Sequence, residues 1–394
     1  MKKYTLILLA TCALFFSCSR EDDVPQPNPN GAERTLLIYM AAQNSLGYGS
    51  NEFDYQNILS LLKGVKPGHL QANNILIYHD PYTASNDRGD TNPLLLQVVP
   101  GENGSATTKV LKQYNEQNSA SGEVLSAVIA EVFDNPKFKA QKYSFLMWSH
   151  GTGWLPANPS YSARSRAIGQ DGTDWMNITE FAEAIPDGLF DYIAMDACYM
   201  GAVEFAYEMQ GKADYLIASP TEILASGMPY EVIPEYLLGT TPKYNDFLDA
   251  FYRFYDRSGY GSTLSLIRPG QIGTLADVVR EVLKNTPMET ITAIPDGSLQ
   301  HFDRTNSTHP YRVFFDLGSF MQQIASPVQL AEFEAVMTQV VPYFRHSESF
   351  LPDDDGFTIR AYSGLSTYVP RSTTKLGQVT AYYETLGWYK AVYP

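Results

Sequence analysis

Short, unbroken apolar runs recur along the chain, each closed by glycine, proline or polar residues: 36–42, 75–79, 143–148, 192–197, 215–218, 264–267 and 365–369. Continuous rather than alternating hydrophobicity predicts strands buried on both faces. Stretches with helical character lie between them, at 122–133, 179–185, 203–210, 244–255 and 271–283. Strands alternating with helices predict parallel strands joined by crossovers, and hence an α/β sheet covered on both sides. No internal repeat of the kind that marks solenoids or propellers is present.

In sheets of this type ligands bind beyond the carboxyl ends of the strands. That rule selects two places. The run Tyr143-Ser-Phe-Leu-Met-Trp-Ser149 delivers His150, followed by Gly151-Thr-Gly153-Trp154, and the run from Tyr192 delivers Cys198, followed by Tyr199-Met-Gly201. As parallel strands of one sheet, the two runs release His150 and Cys198 at the same edge, with room between them for one helical crossover.

Cys198 stands out for a second reason. The other cysteines are Cys12, inside an apparent export signal, and Cys18, at its processing point, so neither offers Cys198 a disulfide partner. A cysteine peptidase needs a thiolate to attack a carbonyl, a histidine to assist and to protonate the leaving amine, and backbone donors for the oxyanion. The two strand ends supply all three. Cys198 is the candidate nucleophile, its pKa lowered by the helix expected from Ala202 onward. His150 is the candidate acid and base, with the N–H groups of Gly151 and Cys198 as candidate oxyanion donors. No zinc reading competes: the histidines at 69, 79, 150, 301, 309 and 346 lack paired metal spacing, and Cys198 has no second thiol.

These segments resemble the clostripain-type cysteine peptidases. The resemblance is carried by His150-Gly-Thr-Gly-Trp154 and Met195-Asp-Ala-Cys-Tyr-Met-Gly-Ala-Val-Glu204, with weaker support from Tyr39-Met-Ala-Ala42 with Asn44, Ala218-Ser-Pro-Thr-Glu222 and Gly364-Leu-Ser-Thr-Tyr-Val-Pro370. It implies a caspase-like α/β sandwich with a central, mostly parallel sheet flanked by helices on both faces. It also implies Cys198 as nucleophile and His150 as catalytic histidine, acting on a protein or peptide substrate.

Asp196 matches an aspartate that in the family lines the pocket for the residue before the scissile bond, which implies cleavage after Arg or Lys through charge-assisted hydrogen bonds. Alternation along a strand would put Asp196 and Cys198 on one side. The chain departs from the family at the second pocket carboxylate: Ser226 or a neighbour stands in its place, and Glu222 compensates only if it points inward. Gln43 likewise stands where an aspartate is common. Family members can cleave themselves between histidine and cysteine. The polar, Gly/Pro-punctuated segment 157–169 offers Arg164 and Arg166 for that cut. Some relatives respond to calcium, but Asp353-Asp-Asp355-Gly356 lacks the alternating ligands and terminal glutamate of a calcium loop and reads as an acidic turn; no cofactor is required.

The N-terminus has a charged start at Lys2 and Lys3, an apolar middle over 4–16 and the small Ser17 before Cys18. Residues 1–17 are therefore expected to be a lipoprotein signal peptide with Cys18 the lipidated residue, an ordinary signal cleaved nearby being the other reading. Residues 18–33, acidic and then proline-rich, are a flexible tether, and 34–394 form the peptidase domain with a C-terminal extension. The net charge of −15, more negative still without Lys2 and Lys3, argues against nucleic acid as a partner. The sequence thus points to an exported outer-membrane or cell-surface enzyme held by its N-terminal lipid. The alternative is a surface binding lipoprotein on the same scaffold with little or no turnover.

Overall fold

The structure, a computed structural model, describes residues 31–48, 52–82, 92–157, 167–305, 311–352 and 356–393. The signal peptide, Cys18 and nearly all of the tether lie outside the described residues, as do Arg164, Arg166 and Asp353 to Asp355.

The strands in chain order are β1 (Ala32–Ala41), β2 (Asn73–Asp80), β3 (Leu94–Pro100), β4 (Ala106–Gln113), β5 (Ala140–Trp148), β6 (Ile168–Asp171), β7 (Asp174–Met176), β8 (Phe190–Asp196), β9 (Ala213–Ala218), β10 (Thr263–Ile267), β11 (Phe315–Asp316) and β12 (Tyr343–His346), followed by the two-residue pieces Ser349–Phe350, Phe357–Thr358 and Ser366–Thr367. A nine-stranded sheet runs β12-β10-β9-β8-β5-β1-β2-β3-β4. Its centre, from β9 to β2, is parallel, and the edge strands β3, β4, β10 and β12 are antiparallel.

The unbroken apolar runs become the central strands for a geometric reason. Successive side chains point to opposite faces, so both neighbours in sequence must be apolar when both faces are covered. In β1, Leu37 and Tyr39 enter one core while Leu36, Ile38 and Met40 enter the other; in β8, Ile193 and Met195 oppose Tyr192 and Ala194. Helices α3 (Gly122–Phe133), α4 (Ile178–Ala184), α5 (Val203–Glu208) and α8 (Ile272–Leu283) cover the first face, and α1 (Phe53–Gly64), α6 (Ile233–Tyr236) and α7 (Tyr244–Asp256) cover the second; α2 (Pro67–Ala72) is a short connector. Helix α3 buries Leu125, Val128, Ile129 and Val132, the spacing of a single helical stripe.

The edges depart from the expected pattern. Strand β4 is exposed along most of its length and β12 has no fully buried residue, so neither carries an apolar run. The run at 365–369 contributes only the pair Ser366–Thr367, which joins β11 outside the main sheet. At the amino ends of the parallel strands the buried Arg34 donates to Ser144, to Asp191 at 2.5 Å and to the Gly239 carbonyl at 2.7 Å. One guanidinium thereby ties β1, β5 and the segment beginning β8 in register, at the end opposite the cleft described next.

Candidate active site

Strands β5 and β8 are direct parallel neighbours with Trp148 opposite Asp196, so the segments that follow leave the sheet side by side. The Ser149 N–H donates to the Asp196 carbonyl at 3.3 Å, carrying the pairing one step past the strands. His150 then accepts from Gly169 N–H at 3.1 Å through its carbonyl, and Thr152 N–H donates to Ala167 at 2.9 Å. These bonds flank the bridge between Gly151 and Ile168, so the Gly151 N–H takes no part in it. A Cβ on Gly151 would stand 2.8 Å from the Cys198 carbonyl oxygen and 3.2 Å from the Cys198 nitrogen. Glycine is required here because the two backbones touch.

Cys198 and His150 line one cleft of about 340 Å³, together with Gly151, Asp196, Glu222 and Gly227. The half-buried Cys198 thiol donates to the Ile223 carbonyl at 3.4 Å. Tyr199 adopts a left-handed φ of 63°, an uncommon state for a bulky residue. It is held there by its N–H to Thr221 at 2.9 Å, by stacking on Phe314 at 4.5 Å, and by its hydroxyl to Glu222 at 2.8 Å. Two residues on, a Cβ on Gly201 would meet the Pro220 nitrogen at 2.5 Å, so only glycine lets the loop pack against the end of β9.

One electrostatic expectation fails. Helix α5 begins at Val203 and is six residues long, too distant and too short to draw a proton from Cys198. Burial instead pushes the thiol up to about 12, reinforced by the Glu222 carboxylate, while the Ile223 backbone and Arg304 act in the other direction. At rest the sulfur is a protonated thiol.

Strand alternation also ends before it reaches Cys198. Strand β8 ends at Asp196, Ala197 and Cys198 pack with the first core, and Asp196 reaches Tyr230 in the second. Both still face the cleft, because the turn after β8 brings Cys198 back over it. Asp196 Oδ2 accepts from Tyr230 hydroxyl at 2.9 Å and Met228 N–H at 3.1 Å. Burial outweighs these bonds and raises its carboxyl to about 6.

The remaining pocket residues separate. Glu222 lines the cleft, but its Oε2 accepts from Arg304 at 2.7 Å. Ser226 is not brought to the cleft wall: its carbonyl accepts from Asn57 at 3.0 Å and its hydroxyl lies 3.4 Å from that of Tyr255. The neighbouring Ala225 and Gly227 take that place. Gln43 is buried away from the cleft, its amide reaching Glu116 at 3.4 Å.

Three partners were not singled out in the sequence. Ser45 Oγ lies 2.9 Å from His150 Nε2, the Trp175 ring sits 6.2 Å from the imidazole, and Arg304 holds Glu222. Asn44 offers the one readable hint. Its buried amide donates to Ala41 at 2.8 Å and Gln170 at 3.0 Å, and its Oδ1 accepts from Leu46 N–H at 2.9 Å, which fixes the turn presenting Ser45. Among the described residues no group of three or more His, Cys, Asp or Glu is arranged to hold a metal.

The family model described as the Clostripain family, peptidase C11, matches residues 38–392. The chain belongs to the clostripain family. An inactive zymogen C11 protease from Parabacteroides distasonis is similar in structure, with 31% identity, 93% of this chain and 100% of that chain covered, and a TM-score of 0.79. A secreted C11 cysteine protease from Bacteroides thetaiotaomicron, solved with an irreversible peptide inhibitor, is 26% identical, with 92% and 99% of the chains covered and a TM-score of 0.75. Among curated proteins none matches significantly. This clostripain-family chain is a cysteine peptidase of caspase-like fold.

Proposed function

We propose that the chain is an exported endopeptidase in which Cys198 and His150 form the catalytic dyad and Asp196 selects Arg or Lys before the scissile bond. The observation that carries the dyad is the pairing of β5 with β8, which brings both residues to one cleft beside a glycine backbone. With a peptide bound, His150 takes the thiol proton as Sγ bonds to the carbonyl carbon, and the carbonyl electron pair moves onto oxygen. The N–H groups of Gly151 and Cys198 stabilise that oxyanion. As the oxyanion collapses the C–N bond breaks, and His150 passes its proton to the leaving amine. Water then attacks the thioester, His150 takes its proton, and the acid product leaves as the thiol is restored. The steps call for no cofactor.

Asp196 supplies the selectivity test. Its carboxyl, raised to about 6 by burial, is neutral below that value and charged above it. The ratio of kcat/KM for a peptide with Arg before the cut over a matched peptide with an uncharged residue there should rise about tenfold per pH unit below pH 6 and level off above it, any titration shared by the two peptides cancelling in the ratio. Digestion of a mixed peptide library, with cut sites read by mass spectrometry, checks the preference. Cuts scattered without regard to Arg or Lys would remove Asp196 from its role.

Self-processing after Arg164 or Arg166 belongs to the same proposal. Support comes from the ends of the segment: Ala157 N–H is held by Asn177 at 2.8 Å, and the Ala167 carbonyl is bound by Thr152 N–H. Both ends stay anchored on either side of a cut. Wild-type protein should ripen into two fragments, whereas Cys198→Ala stays one chain; intact mass after prolonged incubation decides it. Export rests on the signal-like N-terminus and on a Bacteroides thetaiotaomicron relative described as secreted. Lipidation at Cys18, with the chain on the outer membrane or cell surface, completes the proposal, which treats residues 18–33 as tether and 34–394 as the enzyme.

A further inference from the structure

Among the described residues Glu222 is the one cleft carboxylate besides Asp196, and it does not stand alone. Its Oε1 accepts from the Tyr199 hydroxyl at 2.8 Å and its Oε2 from Arg304 Nη2 at 2.7 Å. The two side chains are only 19% and 31% exposed, so solvent and salt screen the pair less than an ion pair at the open surface. Glu222 is held from both sides. Tyr199 is itself pinned by stacking on Phe314 and by its N–H to Thr221, so the carboxylate keeps its position on the cleft wall without Arg304. The guanidinium also acts on the Cys198 thiol in the direction opposite to Glu222, which puts both charges within electrostatic reach of the reacting sulfur.

From this arrangement we propose that Arg304 is a specificity-determining residue. By neutralising Glu222 it removes attraction for a second cationic side chain near the scissile residue and turns the cleft toward neutral or acidic neighbours. The inference rests on reading this cleft as the peptide-binding site. With Glu222 unpaired the cleft would present two carboxylates, Asp196 and Glu222. With Arg304 in place the Glu222 charge is offset by the guanidinium, and Asp196 is left to act alone among the described residues that line the cleft. Chain separation hides the device from the sequence, since Glu222 follows β9 and Arg304 lies just before β11.

The test compares peptides with Arg before the cut and either Lys or Glu at each flanking position, using the full-length protein. In Arg304→Gln the ratio of kcat/KM for the Lys peptide over the Glu peptide should rise about tenfold at the responsive position. In Glu222→Gln, which leaves the guanidinium without its carboxylate, the same ratio should fall. Raising the salt concentration should shrink both shifts. Arg304→Lys keeps the charge and should hold the ratio within about twofold of wild type. Ratios unchanged in both Arg304→Gln and Glu222→Gln would overturn the proposal, as would a shift of the same sign in both. Should Arg304→Gln fail to fold, Arg304→Met serves in its place, with the same rise in the ratio expected and an unchanged ratio overturning the proposal. A Cys198→Ala control separates the two levels: cleavage that persists there defeats the reading of the cleft, whatever the ratios.

Discussion

Cys198→Ala is expected to lower peptide hydrolysis by at least about 10⁴-fold while leaving the fold intact. The loss is large because no other group replaces the covalent step: without Sγ, water must attack the peptide carbonyl directly, aided only by binding and the backbone donors. Stability should hardly change, within about 1 kcal/mol, because the thiol is half-buried and makes one long hydrogen bond, to Ile223 at 3.4 Å. His150→Ala should cost nearly as much as Cys198→Ala, and the double variant little more, since the two act as a unit. Single-turnover rates with a fluorogenic Arg peptide, alongside denaturant melts, make the measurement. Substantial turnover in Cys198→Ala would remove the central assignment.

The second large effect concerns the resting thiol. Burial, with the Glu222 carboxylate behind it, pushes Cys198 up to about 12 from an ordinary 9.0, so the folded protein holds the proton and thiolate appears only as pH rises toward that value. Near neutral pH the thiolate population is therefore about a thousandth of an ordinary thiol's, and iodoacetamide should alkylate Cys198 correspondingly slowly. The rate should climb about tenfold per pH unit between roughly pH 7 and 10, as expected for a single deprotonation. A peptidyl chloromethyl ketone should escape this penalty, because it fills the cleft and brings His150 into the proton transfer. Mass spectrometry of the peptide carrying Cys198 follows both reactions. Fast alkylation by iodoacetamide, flat from about pH 6 to 8, would mean a thiolate and imidazolium already paired at rest, contrary to this electrostatic picture.

That picture departs from the sequence reading for a definable reason. A thiol ahead of a helix is lowered when the helix starts at once and is long enough to align its peptide dipoles. Residues 202–209 have helical composition, but the chain spends Tyr199 to Ala202 on a strained turn and a close backbone contact before α5 begins. Local propensity cannot count those residues, because what demands them is the position of β9 and Pro220. Ser226 fails in the same way. Its place in the loop is readable, but its direction is set by Asn57 on α1 and Tyr255 on α7, both distant in sequence.

Order along the chain was enough for the central strands, for the two exits carrying His150 and Cys198, and for Asp196 beside them. Strands buried on both faces must be written in unbroken apolar residues, and a parallel sheet releases its ligand-binding residues at one edge. Tertiary structure alone decided what each of those groups experiences. It made β5 and β8 neighbours, set Ser45 against His150, turned Glu222 to Arg304, and took enough water from the Cys198 sulfur for it to keep its proton. Charge, solvation and distance depend on everything within a few ångströms of a group, and in this fold most of those neighbours come from remote parts of the chain.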